Sequence, residues 1–271
     1  MSTAQQLTAA AIQMVSGGDL SANLERARAL VAEAAAAGAE LVVLPEYFYL
    51  MPEDESERVA LARPLGEGPI FRCLAELAER HRLWLVGGTI PLESPEPGKM
   101  YNTSLLFGPD GRCRARYDKM HLFGFDNGSE RYDESATMSA GTAVASGDTP
   151  WGPLRLSVCY DLRFPELYRQ RPAPTLITAP AAFTHTTGQA HWELLLRARA
   201  VDNLAFVIGA GQGGVHPGGK RTFGHSLIVD PWGTVLARHD DGEGIALATL
   251  DLNRQVQLRQ RLPALQHRRL D

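Results

Sequence analysis

The sequence predicts an α/β fold in one domain, with two sheets and helices on their outer faces. Apolar runs of strand length alternate with stretches whose apolar residues recur at helical spacing. The second half of the chain repeats this alternation, and together the strands suggest two sheets. No composition shift and no long linker rich in proline or serine divides the 271 residues, a length that one large α/β domain commonly has.

The first half is predicted to contain two helices between its strands. Residues 20–37 place apolar side chains on one face, Asp19 can cap the start of this helix, and Gly38 can end it. A second helix is predicted over 68–81. The predicted strands of this half are 7–14, 40–45, 83–90, 101–108 and 112–118.

The second half is predicted to contain one long helix, 188–203, among further strands. Pro231-Trp232-Gly233 is typical of a hairpin turn. The core is expected to span about 7–251, followed by a helix and arm over 252–271. The predicted strands are 154–160, 175–180, 204–211, 222–230, 234–240 and 245–252.

Composition excludes several classes of protein. Hydrophobic residues make up 44% and charged residues 21%, which is globular rather than disordered. The formal net charge of −4 does not suit a general binder of nucleic acid or anionic membranes. The start, MSTAQQ, lacks the features of a signal peptide, and three cysteines without close spacing do not suggest a disulfide framework. We therefore expect a soluble cytoplasmic protein with free thiols.

Three reactive side chains follow or end predicted strands: Glu46, Lys119 and Cys159. Active sites of α/β folds gather at such strand ends, so these residues are candidates for one site. Taken singly, each also has a plain explanation. Cys159 could be a buried structural thiol, Glu46 an exposed acid at a strand end, and Lys119 a solvated cation.

Cys159 is the most informative of the three. It precedes a segment in which Pro165 suits the start of a helix. A thiol at a strand-to-helix turn can face helix N–H groups, which would lower its pKa and favour the nucleophilic thiolate. Cys73 and Cys113 are interpreted as structural.

Other motifs give weaker signals. A Cys–His hydrolase would need a histidine base, for which His121, His185, His191 and His225 are candidates. No spacing typical of a metal site is present. Residues 214–221 nearly match a phosphate-binding loop but place Arg221 where Ser or Thr is required, so we interpret them as a mobile hairpin loop.

Three segments together resemble the nitrilase superfamily of carbon–nitrogen hydrolases: LPE at 44–46, YDKMHLF at 117–123 and CYDLRFPEL at 159–167. The resemblance extends from about residue 7 to the end of the chain. It implies an α-β-β-α sandwich that assembles as a homodimer or higher homo-oligomer. It also implies catalysis without a cofactor or a metal.

The resemblance assigns roles to the three candidates and demotes the histidines. Cys159 would be the nucleophile, Glu46 the general base, and Lys119 the residue that stabilises the oxyanion together with the N–H of Tyr160. A further glutamate is expected after the lysine motif. Glu134 matches that position, and Glu130 matches it less well.

Finer matches, at 187–203, 211–221 and 224–233, resemble the deaminated glutathione amidase branch. That branch implies a small anionic amide substrate and no nucleic-acid or membrane partner. The omega-amidases, which act on 2-oxoglutaramate, are the alternative within the family. A non-catalytic scaffold on the same fold is the alternative from another class. The residues expected to bind substrate are Tyr160, Arg163, Phe183, Thr187, Lys220 and Arg221.

Overall fold

The computed structural model describes residues 5–128 and 131–269. Within them the helices α1 to α6 are, in chain order, Leu20–Ala36, Ser56–Ala60, Gly68–His81, Pro165–Arg169, His185–Asn203 and Leu252–Arg261. The strands β1 to β17 are Gln6–Gln13, Leu41–Val43, Trp84–Val86, Ile90–Glu93, Met100–Phe107, Cys113–Asp118, Gly124–Asp126, Arg131–Asp133, Ser146–Thr149, Gly152–Leu156, Leu176–Ala181, Phe206–Gly211, Gly213–Val215, Arg221–Phe223, Leu227–Val229, Val235–Arg238 and Gly244–Asp251.

Two large sheets form the centre of the fold. The first has the strand order β17-β1-β2-β3-β5-β4, with β6 also paired to β5. The second has the order β16-β15-β12-β11-β10-β9. The inner strands β1, β2 and β3 of the first sheet are parallel, as are β10, β11 and β12 of the second. These strands are buried on both faces, which explains why they appear in the sequence as continuous apolar runs.

Side chains of β1 alternate between two hydrophobic clusters. Ala9 and Ala11 pack into a cluster that includes residues of the second sheet and of α5. Ala10 and Ile12 pack into a cluster with residues of α1 and α3. This period of two is the pattern of a strand with a packed layer on each face. The predicted α/β class and the α-β-β-α sandwich are therefore confirmed.

The predicted helix boundaries are mostly correct. The Asp19 side chain accepts a hydrogen bond from the Ala22 N–H, which satisfies one of the free donors at the start of α1. Gly38, with φ +91°, lies just past the end of that helix. Helix α5 begins three residues before its prediction because the Thr184 side chain caps it and accepts from the Thr187 N–H.

The prediction of one strand over 83–90 is wrong, because two glycines divide it into β3 and β4. Gly88 has φ +56°, and a Cβ atom there would lie 2.1 Å from the carbonyl oxygen of Pro45. Only glycine tolerates this approach. The glycine thus lets the backbone of Pro45, which precedes Glu46, lie against Gly88.

Two further predicted strands are too long. The strand predicted over 154–160 ends at Leu156, and Cys159 instead begins a 3-10 turn that extends to Arg163. The strand predicted over 222–230 is divided between β14 and β15 by a bend in which His225 has φ +56°. The short elements α2, β7, β8, β9 and β13 were not predicted.

The carboxyl-terminal helix α6 begins at Leu252, and one of its arginines is bonded to the second sheet. The Arg259 guanidinium donates to the carbonyls of Leu204 and Pro174, so it fastens α6 to the second sheet. Across residues 5–128 and 131–269, no helix is long and apolar enough to cross a membrane.

Candidate active site

Glu46 lies in the turn that follows β2, and its side chain is only 1% exposed. One carboxylate oxygen accepts hydrogen bonds of 2.9 Å from both the Asn102 side chain and the Lys119 ammonium. The other accepts from the N–H of Ala182 at 2.9 Å. Burial raises the pKa of Glu46 above its usual value, although the Lys119 charge opposes this shift. The carboxylate is thus fixed in position by donors from three segments.

Lys119 follows β6 and is buried between two carboxylates. Its Nζ lies 2.9 Å from Glu46 Oε1 and 2.7 Å from Glu134 Oε2. Burial alone would lower the pKa of Lys119, but the charges of Glu134 and Glu46 outweigh it and raise that pKa above its usual value. Lys119 is therefore an ammonium group at neutral pH.

Glu134 lies at the start of a 3-10 turn after the β7–β8 hairpin. Its carboxylate accepts from the Tyr47 hydroxyl at 2.8 Å and from the Phe123 N–H at 2.7 Å. These contacts fix Glu134 against Lys119, where the sequence resemblance expected an additional glutamate. Glu130, the weaker match, lies outside the described residues.

Cys159 is at the entrance of the 3-10 turn with φ +50°, a backbone conformation that few non-glycine residues adopt. Burial and the neighbouring Glu46 charge raise the pKa of its thiol well above 9.0. A backbone hydrogen bond from Ala182 lowers this pKa, as expected of a nearby N–H group, but desolvation outweighs it and the net shift is upward. Glu46 and Cys159 line the same pocket, which places a proton acceptor near the thiol.

A buried aspartate ties the two segments that carry Lys119 and Cys159. The Asp161 carboxylate accepts from the N–H of Val158 at 2.8 Å and from the Tyr117 hydroxyl at 2.8 Å. It also lies 2.7 Å from Nδ1 of His121, whose ring stacks on Phe164. His121 thus belongs to the scaffold behind the site.

Two pockets open from Cys159, and they share Phe123, Ala182 and Thr184 as lining. One pocket, here called the Arg163 pocket, contains the first four residues predicted to bind substrate: Tyr160, Arg163, Phe183 and Thr187. The other, here called the Glu46 pocket, contains the other two predicted binding residues and both glutamates of the site: Lys220, Arg221, Glu46 and Glu134. The structure therefore brings all ten predicted site residues to one region.

Sequence reasoning missed several residues of the region. Tyr47 and Asn102 orient the two glutamates, and Glu55 and Arg58 form the outer wall of the Glu46 pocket. Asn102 lies inside the predicted strand 101–108, whose apolar pattern gives its amide no role. Glu55 and Arg58 carry no motif, because the short helix α2 that presents them was not predicted.

The hairpin interpretation of the near-match to a phosphate loop is supported by its pairing. Strands β13 and β14 form an antiparallel pair around residues 216–220, and the next element after β14 is the strand β15 rather than a helix. Of the residues that the structure describes, no group of three or more His, Cys, Asp or Glu side chains could hold a metal ion.

Comparisons with known proteins agree on one family. The sequence pattern of the family described as "Carbon-nitrogen hydrolase" matches residues 8–260. The chain is 42% identical to the deaminated glutathione amidase of Synechocystis sp., over 96% of this chain and 97% of that protein. It is 41% identical to the omega-amidase NIT2 of Mus musculus, over 97% of this chain and 95% of that protein.

Solved structures give the same result. The crystal structure of Nit3 from Saccharomyces cerevisiae, a member of branch 10 of the nitrilase superfamily, superimposes with a TM-score of 0.89. It is 34% identical in sequence, and the match covers 99% of this chain and 98% of that one. The likeness therefore extends over the whole sandwich, including the region around Cys159.

Proposed function

The chain belongs to the carbon–nitrogen hydrolase family, and from this we propose that it is an amidase that cleaves deaminated glutathione to 2-oxoglutarate and cysteinylglycine. One observation carries the proposal most directly. A buried ammonium, that of Lys119, lies between two carboxylates, and both carboxylates line one pocket together with Cys159. This arrangement provides a nucleophile, a base and a positive charge for acyl transfer.

In the first step the Cys159 sulfur attacks the amide carbonyl while Glu46 takes the thiol proton. The raised pKa of Cys159 means that the resting thiol is protonated, so it needs this base at the moment of attack. A lysine ammonium has three N–H donors, and Glu46 and Glu134 occupy two of those on Lys119. The third is available for the oxyanion, with the N–H of Tyr160 as second donor.

In the second step Glu46 returns its proton to the amide nitrogen, the C–N bond breaks, and a thioester remains on Cys159. Water then attacks the thioester as Glu46 removes its proton. The acid leaves, and the sulfur recovers the proton from Glu46. The steps balance without a cofactor, because Glu46 alternates between base and acid.

The substrate of this reaction has a carboxylate at each end. The Arg163 pocket offers one guanidinium among aromatic side chains, and the Glu46 pocket offers Lys220 and Arg221. A guanidinium can bind a carboxylate through two parallel hydrogen bonds. We propose that Tyr160, Phe183 and Thr187 line the remaining contact surface of the substrate, as the sequence resemblance implies.

A coupled assay that detects 2-oxoglutarate tests the substrate, with deaminated glutathione and 2-oxoglutaramate compared at matched low concentration. We expect a higher kcat/KM for deaminated glutathione and no turnover by Cys159→Ala. A preference for 2-oxoglutaramate would move the chain to the omega-amidase function, which the similarity to NIT2 makes the second candidate. If wild type turns over neither substrate, both amidase functions are contradicted. The non-catalytic scaffold then remains, provided that no other amide is cleaved.

We also propose that the chain acts as a homodimer or higher homo-oligomer in the cytoplasm. Apolar side chains are exposed on neighbouring outer elements, with Leu194 and Val201 on α5 and Trp232 at the β15–β16 turn. Such a patch commonly marks an interface between subunits. The cysteines 73, 113 and 159 are free thiols, as a reducing compartment favours.

A further inference from the structure

The outer wall of the Glu46 pocket contains a cluster of charges that takes no part in the acyl-transfer steps described above. Glu55 lies between two cations, with the Arg58 guanidinium and the Lys220 ammonium both hydrogen-bonded to it. The Lys220 Nζ to Glu55 Oε1 distance is 2.6 Å. With Arg221 beside them, this wall carries three positive charges and one negative charge.

The position of Glu46 shows which part of a substrate would face that wall. In the proposed reaction Glu46 gives its proton to the departing nitrogen, so the departing amine must lie on the side of Glu46. Glu46 lines the Glu46 pocket and is absent from the lining of the Arg163 pocket. The departing amine therefore enters the Glu46 pocket, and the acyl group enters the Arg163 pocket.

The backbone of Lys220 is fixed by hydrogen bonds, and its side chain can contact a ligand in this pocket. The His216 N–H donates to the Lys220 carbonyl at 2.8 Å. The His216 ring is itself buried between the Ser16 carbonyl at 2.8 Å and the Thr222 hydroxyl at 2.7 Å. The backbone at Lys220 is thus fixed, while its side chain remains 26% exposed and can reach a ligand.

Arg58, unlike Lys220, is buried and bonded only within the protein. It is only 2% exposed, its guanidinium lies 3.9 Å over the Tyr47 ring, and its Nε donates to the Leu50 carbonyl. These contacts commit Arg58 to the protein. Because Arg58 holds Glu55 in place, Lys220 is the cation of this pair that can change partner.

We propose that Lys220, together with Arg221, binds a carboxylate on the departing amine, and that Glu55 limits this binding by competing for the Lys220 ammonium. The inference rests on the amidase function proposed above and names the leaving group that its site selects. An anionic leaving group, such as the carboxyl end of a dipeptide, replaces Glu55 as the partner of Lys220. A neutral amine or ammonia has no carboxylate and cannot replace Glu55 as the partner of Lys220.

The test uses two amides that share the 2-oxoglutaryl group and the scissile bond. One has glycine as its leaving group, the other glycinamide, so they differ only in the terminal charge. For wild type we expect kcat/KM to be about 10-fold or more higher for the amide whose leaving group is glycine than for the amide whose leaving group is glycinamide. A ratio of this size is the effect of one charge-assisted hydrogen bond. Lys220→Gln should reduce this ratio toward one, and Lys220→Arg should restore part of it.

Glu55→Gln should act in the opposite direction and increase the ratio several-fold, because the substrate carboxylate no longer competes with Glu55. Lys99→Gln is the matched control. Lys99 is also paired with a glutamate, Glu96, at 3.0 Å, is 30% exposed and lies outside both pockets. It should keep the wild-type ratio.

Binding of the same two amides to Cys159→Ala, measured by calorimetry, separates this inference from the proposed function. Hydrolysis of both amides at equal kcat/KM, or a ratio that Lys220→Gln does not change, would overturn the inference and leave the amidase function intact. Tighter binding of the compound with the glycine leaving group, if it depends on Lys220 and wild type turns over neither compound, would overturn the amidase function and retain the inference. Neither binding nor turnover would overturn both.

Discussion

The Glu46 carboxylate accepts hydrogen bonds from Asn102, Lys119 and the Ala182 N–H. Its orientation toward the Cys159 thiol is therefore set before substrate arrives. A base that needs no reorganisation at the moment of reaction is more effective than a mobile one. Burial also raises the pKa of Glu46, which makes its carboxylate a stronger acceptor for the thiol proton.

Glu46→Gln tests that role, because glutamine keeps the shape of the side chain but cannot accept the thiol proton. We expect kcat to fall by about 10²- to 10⁴-fold, the usual effect of losing a general base. Steady-state kinetics with the preferred amide measures the change. The exposed acid of α4 offers a matched control, and Glu166→Gln should retain wild-type kcat. A Glu46→Gln enzyme within tenfold of wild type would exclude Glu46 as the base.

The pH dependence of kcat/KM follows from the same two groups. Burial raises the pKa of Glu46 above 4.5, so activity should fall as the pH drops through that higher value and the carboxylate gains its proton. Burial and the Glu46 charge hold the pKa of Cys159 above 9.0, so no rise from thiol ionisation is expected below that pH. A profile from pH 5 to 9 checks both statements. An increase in activity that follows thiolate formation near neutral pH would contradict this account.

The site depends on segments in which the chain leaves its strand early. Gly87 and Gly88 end β3, and Cys159 adopts φ +50° after β10 has ended. Apolar runs of 83–90 and 154–160 predict longer strands because periodicity does not register a positive φ. The strands themselves were predictable from their apolar residues, whereas these interruptions depend on close approaches such as that of Gly88 to the Pro45 carbonyl.

Asp161 joins two such segments, and Asp161→Ala tests how much they depend on it. The change leaves the Val158 N–H and the buried Tyr117 hydroxyl without their acceptor. We expect the free energy of unfolding to decrease by about 3 kcal/mol. Thermal unfolding should register this as a decrease in Tm of about 6–12 °C.

The catalytic consequence of Asp161→Ala distinguishes positioning from stability alone. At a temperature where the variant remains folded, we expect kcat to fall at least tenfold because Cys159 and Lys119 lose their common anchor, a loss typical of small misplacements at an active site. KM should change less, since Asp161 does not line either pocket. An unchanged kcat in the folded variant would limit Asp161 to a structural role.

At the scale of the whole molecule, the site lies where residues of the two sheets meet. Glu46 and Lys119 follow strands of the first sheet, and Cys159 follows a strand of the second. The motifs identified these residues one by one, but their convergence depends on the packing of one sheet on the other. Spacing along the chain holds no information on that packing, which is why Glu55 and Arg58 could not be predicted as neighbours of Lys220.

The assembly of the molecule is open to a direct test. Leu194 is 65% exposed and Val201 47% exposed on α5, one face of which they share at a spacing of seven residues. We expect light scattering to give at least a dimer for the wild-type chain, and Leu194→Arg to shift it toward monomer. A wild-type chain that remains monomeric at micromolar concentration would show that this patch has another purpose.

In the proposed reaction Cys159 carries the acyl group of the substrate as a thioester. Acid quenching during turnover, followed by mass spectrometry of the digested protein, measures this directly. We expect a 2-oxoglutaryl adduct on the peptide that contains Cys159, absent from Cys159→Ala and from a sample without substrate. Turnover by Cys159→Ala above about a thousandth of the wild-type rate, or an adduct on another residue, would contradict it.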